Sequence, residues 1–235
     1  MKEKRLAMFD MDGVLFDSMK NHALSWHETM RHFGLDLPVE EAYLHEGRTG
    51  AGTINIISRR QRGHEATEEE IREIYAYKSS LFNTLPEAVA MPGAYELLLK
   101  VKADGFQPMV VTGSGQKTLL ERLERSFPGV FSRDLMVTAF DVKRGKPNPE
   151  PYLMGLQKGF GTTDERVKRR AFVVENAPLG IEAAKAAGVF TIAVNTGPLP
   201  DSVLLDAGAD LIFPSMQALC DAWTKIQLFT DKGDD

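Results

Sequence analysis

Six short apolar runs punctuate the chain: Leu6 to Phe9, Met109 to Val111, Leu135 to Val137, Phe172 to Val174, Val189 to Val194 and Leu211 to Phe213. They lack the polar alternation of a strand with one wet face, so they predict strands buried on both sides in a parallel sheet. Between them the apolar spacing becomes helical over Ala94 to Ala103, Lys117 to Ser126, Pro149 to Lys158, Leu179 to Ala187 and Ser215 to Gln227, several with a glycine just past the end. Strand followed by helix, repeated, predicts an α/β fold.

The rhythm breaks between about Asp17 and Glu87, which carries long helical patterns such as His22 to Phe33 and Thr67 to Phe82 and no convincing strand. The pattern therefore predicts a helical insert over residues 17–87, placed after the first strand of a core formed by 1–16 and 88–235. Pro86 and the Met91-Pro92-Gly93 turn mark the return to the core, and the polar tail Thr230 to Asp235 is expected to fray.

With 235 residues, 43% hydrophobic and 26% charged, the chain can bury a core without staples. A net charge of -5 supplies no global field for nucleic acid or anionic membrane, so neither is an expected partner and an anionic ligand needs a local cluster. The basic runs Arg59, Arg60, Arg62 and Lys168, Arg169, Arg170 read as solvated faces. The lone cysteine, Cys220, excludes an internal disulfide framework and a multi-cysteine zinc site, and suits a reducing cytosol. Only Leu6 to Phe9 follow the charged Met1 to Arg5, too little for the apolar core of a signal peptide. The longest charge-free stretch, Ala186 to Pro200, is too short and too broken to span a bilayer. The expectation is a cytoplasmic protein, monomeric because no unusual apolar stripe is left over.

Candidate chemistry gathers at strand ends, where open α/β sheets hold their ligands. After the first run comes Asp10-Met11-Asp12-Gly13, and residues two apart on a strand share a face, so both acids can converge on one point. Their repulsion is relieved either by a cation between them or by one acid kept protonated. After the second run, Thr112-Gly113-Ser114-Gly115-Gln116-Lys117 offers a hydroxyl and backbone N–H groups as an anion cradle. It lacks the Gly-Lys adjacency and upstream glycine of a nucleotide-binding P-loop. Prolines stiffen the segment Lys143 to Pro151 and fix Lys146 where it can neutralise a phosphate or a pair of carboxylates. Glu175 and Asn176 follow the fourth run, a carboxylate and an amide oxygen of the hard kind that suits Mg²⁺. His22, His27 and His32 recur every five residues, turning about 140° each time, and cannot form one zinc face.

In this order the four segments resemble the haloacid dehalogenase superfamily of phosphohydrolases, and the insert resembles the helical cap of its β-phosphoglucomutase-like subgroup. The resemblance spans the whole chain. It implies a Rossmann-like parallel sheet with helices on both faces and a small α-helical cap domain inserted after strand 1. It also implies that Asp10 is the nucleophile that takes the phosphoryl group and that Asp12 is general acid, then general base. Thr112 and Lys146 would stabilise charge on that group, and Gly113 and Ser114 would bind it. Members that remove halogens lack the second aspartate, so Asp12 implies phosphoryl transfer. Mg²⁺ would be held by Asp10, the backbone carbonyl of Asp12, Glu175 and Asn176, where the commoner pattern of the last pair is Glu-Asp. His22 and Lys78 match cap positions that face substrate in the mutase, and Trp26 shares a helix face with His22. Gly50 stands where the mutase carries its phosphate-gripping cap arginine, with Arg48 two residues away.

These residues imply a Mg²⁺-dependent phosphatase of a small phosphorylated metabolite, most simply a sugar phosphate. The alternatives are a β-phosphoglucomutase-like mutase, in which Asp10 returns its phosphoryl group to a second hydroxyl, and a catalytically weak phosphate-binding regulatory protein, which Asn176 suggests.

Overall fold

The computed structural model describes residues 3–115 and 119–230, so the expected helix start at Lys117 and the tail beyond 230 lie outside the described residues. Six strands form one parallel sheet: β1 (Arg5–Phe9), β2 (Phe106–Val111), β3 (Met136–Val137), β4 (Ala171–Glu175), β5 (Phe190–Val194) and β6 (Leu211–Phe213). Their spatial order is β3-β2-β1-β4-β5-β6, a doubly wound Rossmann-like arrangement whose winding reverses between β1 and β4.

Alternate residues of the strands feed two cores. Ala7, Phe9, Phe106, Val110, Phe172 and Val174 pack against α5 (Ala94–Ala103), α6 (Leu119–Ser126) and α11 (Met216–Thr230), with Trp223 buried in that layer. Leu6, Met8, Met109, Val111 and Val173 pack on the opposite face against α7 (Glu150–Phe160) and α9 (Pro178–Ala186). Two short helices, α8 (Glu165–Lys168) and α10 (Asp201–Asp206), complete the outer layers.

The insert contains α1 (Met19–His32), α2 (Val39–Ala42), α3 (Gly50–Arg62) and α4 (Glu68–Thr84), and no strand. Its helices close over their own core of Ala23, Met30, Leu35, Leu37, Ile54, Ile57 and Ile74. Helix α4 opens with a capping box, Thr67 and Glu70 each satisfying the other's backbone N–H. The basic run of α3 lies at the surface paired with acids, Arg59 with Glu65, Arg60 with Glu41 and Arg62 with Glu70.

Two connections join insert and core, and they lie side by side. Phe16 forms an antiparallel bridge with Ala90, the Asp17 N–H donates to the Val89 carbonyl at 2.9 Å, and the Met91 N–H donates to the Leu15 carbonyl at 2.9 Å. Arg122 clasps this ribbon, its guanidinium 3.9 Å from the Phe16 ring centroid and donating to the Ala88 carbonyl at 2.7 Å.

Candidate active site

Register places the first two acids. Phe9 sits opposite Val174, so the next pair along the ladder is Asp10 and Glu175, at the carboxyl ends of β1 and β4 where the winding reverses. Asp10 continues the face of Leu6 and Met8, and Glu175 that of Val173, so both carboxylates point to the α7 side. Two buried carboxylates there require a cation, and Lys146 supplies it.

The Lys146 Nζ lies 2.5 Å from Asp10 Oδ1, 2.5 Å from Glu175 Oε1 and 3.1 Å from the Val111 carbonyl, with the residue only 1% exposed. The Tyr152 hydroxyl, from α7, donates to the same Glu175 oxygen at 2.6 Å. Glu175 Oε2 accepts from the backbone N–H groups of Asn176 and Ala177. Both oxygens of Glu175 are therefore engaged by protein donors, which makes this residue the anchor of Lys146. Helix α9 comes so near that a Cβ at Gly180 would stand 1.9 Å from Glu175 Oε1. Burial pushes the Asp10 carboxyl up to about 8 against the pull of Lys146, with Glu175 and Asp12 adding to the rise.

Asp12 has different partners. The strand ends at Phe9, so the alternation that would bring the two acids to one point no longer applies, and Asp12 turns toward the insert. The Ser18 hydroxyl donates to Asp12 Oδ1 at 2.5 Å and the His22 Nε2 is 3.2 Å from the same oxygen. Lys78 Nζ lies 2.8 Å from His22 Nδ1. An ammonium can only donate, so His22 Nδ1 accepts and the ring proton sits on Nε2, facing Asp12. Burial, then Lys78, push the His22 imidazole below its ordinary value. Burial works to raise Asp12 as well, but His22, Ser18 and Lys78 outweigh it and bring the carboxyl down to about 2. The two aspartates are thus driven apart, Asp10 upward and Asp12 downward.

This shift has a sign that can be read. A carboxyl held below its ordinary 3.8 contributes stability that is full above that pH and is lost as the pH falls toward 2. We expect Asp12→Asn to flatten the acid limb of the stability curve between pH 4 and 2, measured as urea midpoints across that window. An unchanged slope would mean that Asp12 is not held by this network.

Above the two acids, one cavity is lined by Asp10, Asp12, His22, Trp26, Arg48, Lys78, Thr112, Gly113 and Ser114, whereas Lys146, Glu175 and Asn176 stand outside its lining, Lys146 joined to it through Asp10. Trp26 also packs against the insert's core. Thr112 is buried and its hydroxyl accepts from the Ser114 N–H at 3.1 Å, bending the segment into the turn that presents Gly113 and Ser114. The Arg48 Nε is buried with no hydrogen-bond partner. A Cβ at Gly50 would stand 2.3 Å from the Tyr75 ring, so no side chain fits at that position.

Sequence reasoning passed over Glu46, Ser18, Tyr152 and Tyr75. Ser18 follows the first motif closely and reaches back six residues to Asp12, whereas Tyr152 acts through Glu175, 23 residues away. Glu46 lies in the insert, 8% exposed, and accepts from Asn176 Nδ2 at 2.7 Å. Gly13, at φ +81°, lets the backbone pass beneath this pair, since a Cβ there would stand 2.0 Å from Asn176 Nδ2.

Among the described residues no three His, Cys, Asp or Glu side chains group as a metal cage. The oxygens that could receive Mg²⁺ are mixed in kind. Asn176, 5% exposed, keeps its Oδ1 buried without a partner while its Nδ2 donates to the Glu46 carboxylate, on which the charge of Asp10 also bears. An orphaned amide oxygen next to carboxylates is a hard donor set, and it fits the ion.

Comparison with known proteins identifies the family. The family model "Haloacid dehalogenase-like hydrolase" matches residues 7–194. A solved Bacteroides vulgatus structure, provisionally named a beta-phosphoglucomutase, superposes with a TM-score of 0.92 at 59% identity, covering 98% of this chain and 91% of that one. Hexitol phosphatase A of Escherichia coli (strain K12) is 32% identical over 80% of this chain and 82% of its own length. Validoxylamine A 7'-phosphate phosphatase of Streptomyces hygroscopicus subsp. limoneus is 30% identical over 82% of this chain and 86% of its own. The chain belongs to the haloacid dehalogenase-like hydrolases.

Proposed function

We propose that this phosphoric monoester hydrolase cleaves a small phosphorylated carbohydrate in a Mg²⁺-dependent reaction that passes through a phosphoryl group on Asp10. The observation that carries the reading is the arrangement at the sheet's switch point: a buried lysine bridging Asp10 and Glu175, with a second, separately held aspartate across the same cavity. The hexitol phosphate and phosphorylated carbohydrates named for its relatives support the substrate class.

In this reading a free oxygen of Asp10 attacks phosphorus as the bond to the ester oxygen breaks, and Asp12 gives that oxygen its proton. Asp12, ionised before substrate binds, takes up that proton from solvent as the phosphate dianion arriving beside it raises its proton affinity. Asp12 then takes a proton from the water that attacks the Asp10 phosphoryl group, which releases inorganic phosphate and restores both acids. Lys146, the Thr112 hydroxyl and the N–H groups of Gly113 and Ser114 neutralise the charge on the transferring oxygens. Asp10, the Asp12 carbonyl, Asn176 and Glu175 are the residues that would hold Mg²⁺, and the bound ion would supply positive charge to the same oxygens. Ser18 and His22 keep Asp12 aimed. Residues 17–87 act as a cap over the substrate, with Arg48, Lys78, His22 and Trp26 setting what fits.

Phosphatase is favoured over mutase by Gly50, because the Tyr75 ring leaves no room for the arginine that the mutase would place there. The resemblance to the Bacteroides vulgatus protein keeps the mutase as the second reading. Phosphate release is to be measured over a panel of sugar, polyol and nucleotide monophosphates, with and without Mg²⁺. Mg²⁺-dependent release confined to a few carbohydrate phosphates is the expected result. Turnover that appears only with a sugar bisphosphate primer would assign the mutase, and inertness under both conditions would assign a phosphate-binding role.

A further inference from the structure

The Glu46 carboxylate is out of place for a residue of a helical insert. It is buried at 8% exposure, and the charges that bear on it most are the carboxylates of Asp10, Glu175 and Asp12. Four acids therefore share this end of the sheet with two ammonium groups, Lys146 on Asp10 and Glu175, and Lys78 near Asp12. A divalent cation would offset the excess. The second observation points the same way: Asn176 gives its Nδ2 to Glu46 and leaves its Oδ1 buried and unpartnered.

Asn176 occupies the position where a second carboxylate of the fourth motif would stand, and the acid that touches it comes from the insert. We propose that Glu46 supplies the carboxylate that Asn176 lacks, so that the Mg²⁺ site is completed by the insert. This rests on the Mg²⁺-dependent reading above. It has a consequence of its own: a site shared between insert and core binds the ion best when the two are together, so ion and closure favour each other.

The test is Mn²⁺ binding to the full chain, read from the EPR signal of the free ion, for the wild type, Glu46→Gln, Asn176→Asp and the double variant. Glu46→Gln is expected to weaken binding by about tenfold or more, because affinity in oxygen sites follows the number of charged ligands. Adding Asn176→Asp to it should restore most of the loss. In parallel, Mg²⁺ should slow amide hydrogen exchange over residues 43–49 in the wild type and not in Glu46→Gln. Unchanged Mn²⁺ affinity in Glu46→Gln would overturn the proposal while leaving the Mg²⁺-dependent reaction intact, and would make Glu46 a latch onto Asn176. A loss that Asn176→Asp fails to repair would overturn it too, since Glu46 would then act by placing the insert. A wild type that binds no Mn²⁺ and releases phosphate without metal would remove both readings. Should Glu46→Gln not fold, the wild-type exchange experiment decides, and absence of Mg²⁺-dependent protection at 43–49 overturns the proposal.

Discussion

Replacing Asp10 by asparagine is expected to lower turnover by about 10⁴-fold or more while the protein stays folded. The side chain hardly changes volume, and its position between β1 and β4 is fixed by the backbone, the Asp10 N–H donating to the Val174 carbonyl at 3.0 Å. Burial already disfavours the charge at this position, as the upward shift of the carboxyl to about 8 shows. Asparagine removes that cost, so the thermal midpoint should hold or rise. Phosphate release and a thermal scan on one preparation separate the effects. Residual turnover near that of the wild type would take the nucleophile's role from Asp10.

Lys146→Ala should behave in the opposite way, losing stability and activity together. Its ammonium compensates Asp10 and Glu175 at once and is 1% exposed, so alanine leaves two carboxylates buried with no cation between them. Breaking a buried pair of this kind costs about 3–5 kcal/mol, enough to lower the midpoint of a domain this size by about 10 °C. Turnover should fall by about 10³-fold, since the same charge faces the transferring oxygens. The second variant that tests the cause is Lys146→Met with Glu175→Gln: removing one stranded charge should recover much of the stability and none of the rate. Recovery of rate would show that the ammonium acts only as scaffold.

Much of this fold can be read from the chain because its strands are simple apolar runs bounded by small residues. Helix α5 appears over Ala94–Ala103 as its spacing predicts, and β6 over Leu211–Phe213. Strand β2 reaches back to Phe106, beyond the predicted start at Met109, and includes Pro108. A proline inside a strand is tolerated only where its missing N–H faces no neighbour. Here β3 pairs only Val110 and Val111, so the outer edge of β2 at Pro108 has no strand to satisfy. Helix α3 was hidden within the insert because two glycines and three arginines blur its apolar stripe, although Thr49 caps it by accepting from the Gly52 N–H.

The candidate site divides in the same manner. Asp10, Asp12, Thr112 and Lys146 stand in segments whose order carries meaning on its own. Glu46 does not, because its partner Asn176 is 130 residues away and nothing in the local pattern around Glu46-Gly47-Arg48 marks it. His22 and Lys78 stand together through the resemblance, but the contact between them, 56 residues apart on two helices of the insert, leaves no mark in the local pattern. Chemistry built from one segment is visible in the chain, whereas chemistry built from packing is not.

The paired connections at Leu15 to Asp17 and Val89 to Met91 restrict how the two halves of the molecule can part. A hydrogen-bonded ribbon of two antiparallel segments flexes across its plane but resists torsion and sliding along its length. Any swing of residues 17–87 therefore rocks about a single axis, as a door does on a frame, and the gap it opens is a wedge, widest opposite Phe16 and Ala90. In the proposed reaction that far rim would be the way in, and molecules too broad for the wedge would be stopped there before they meet Asp10.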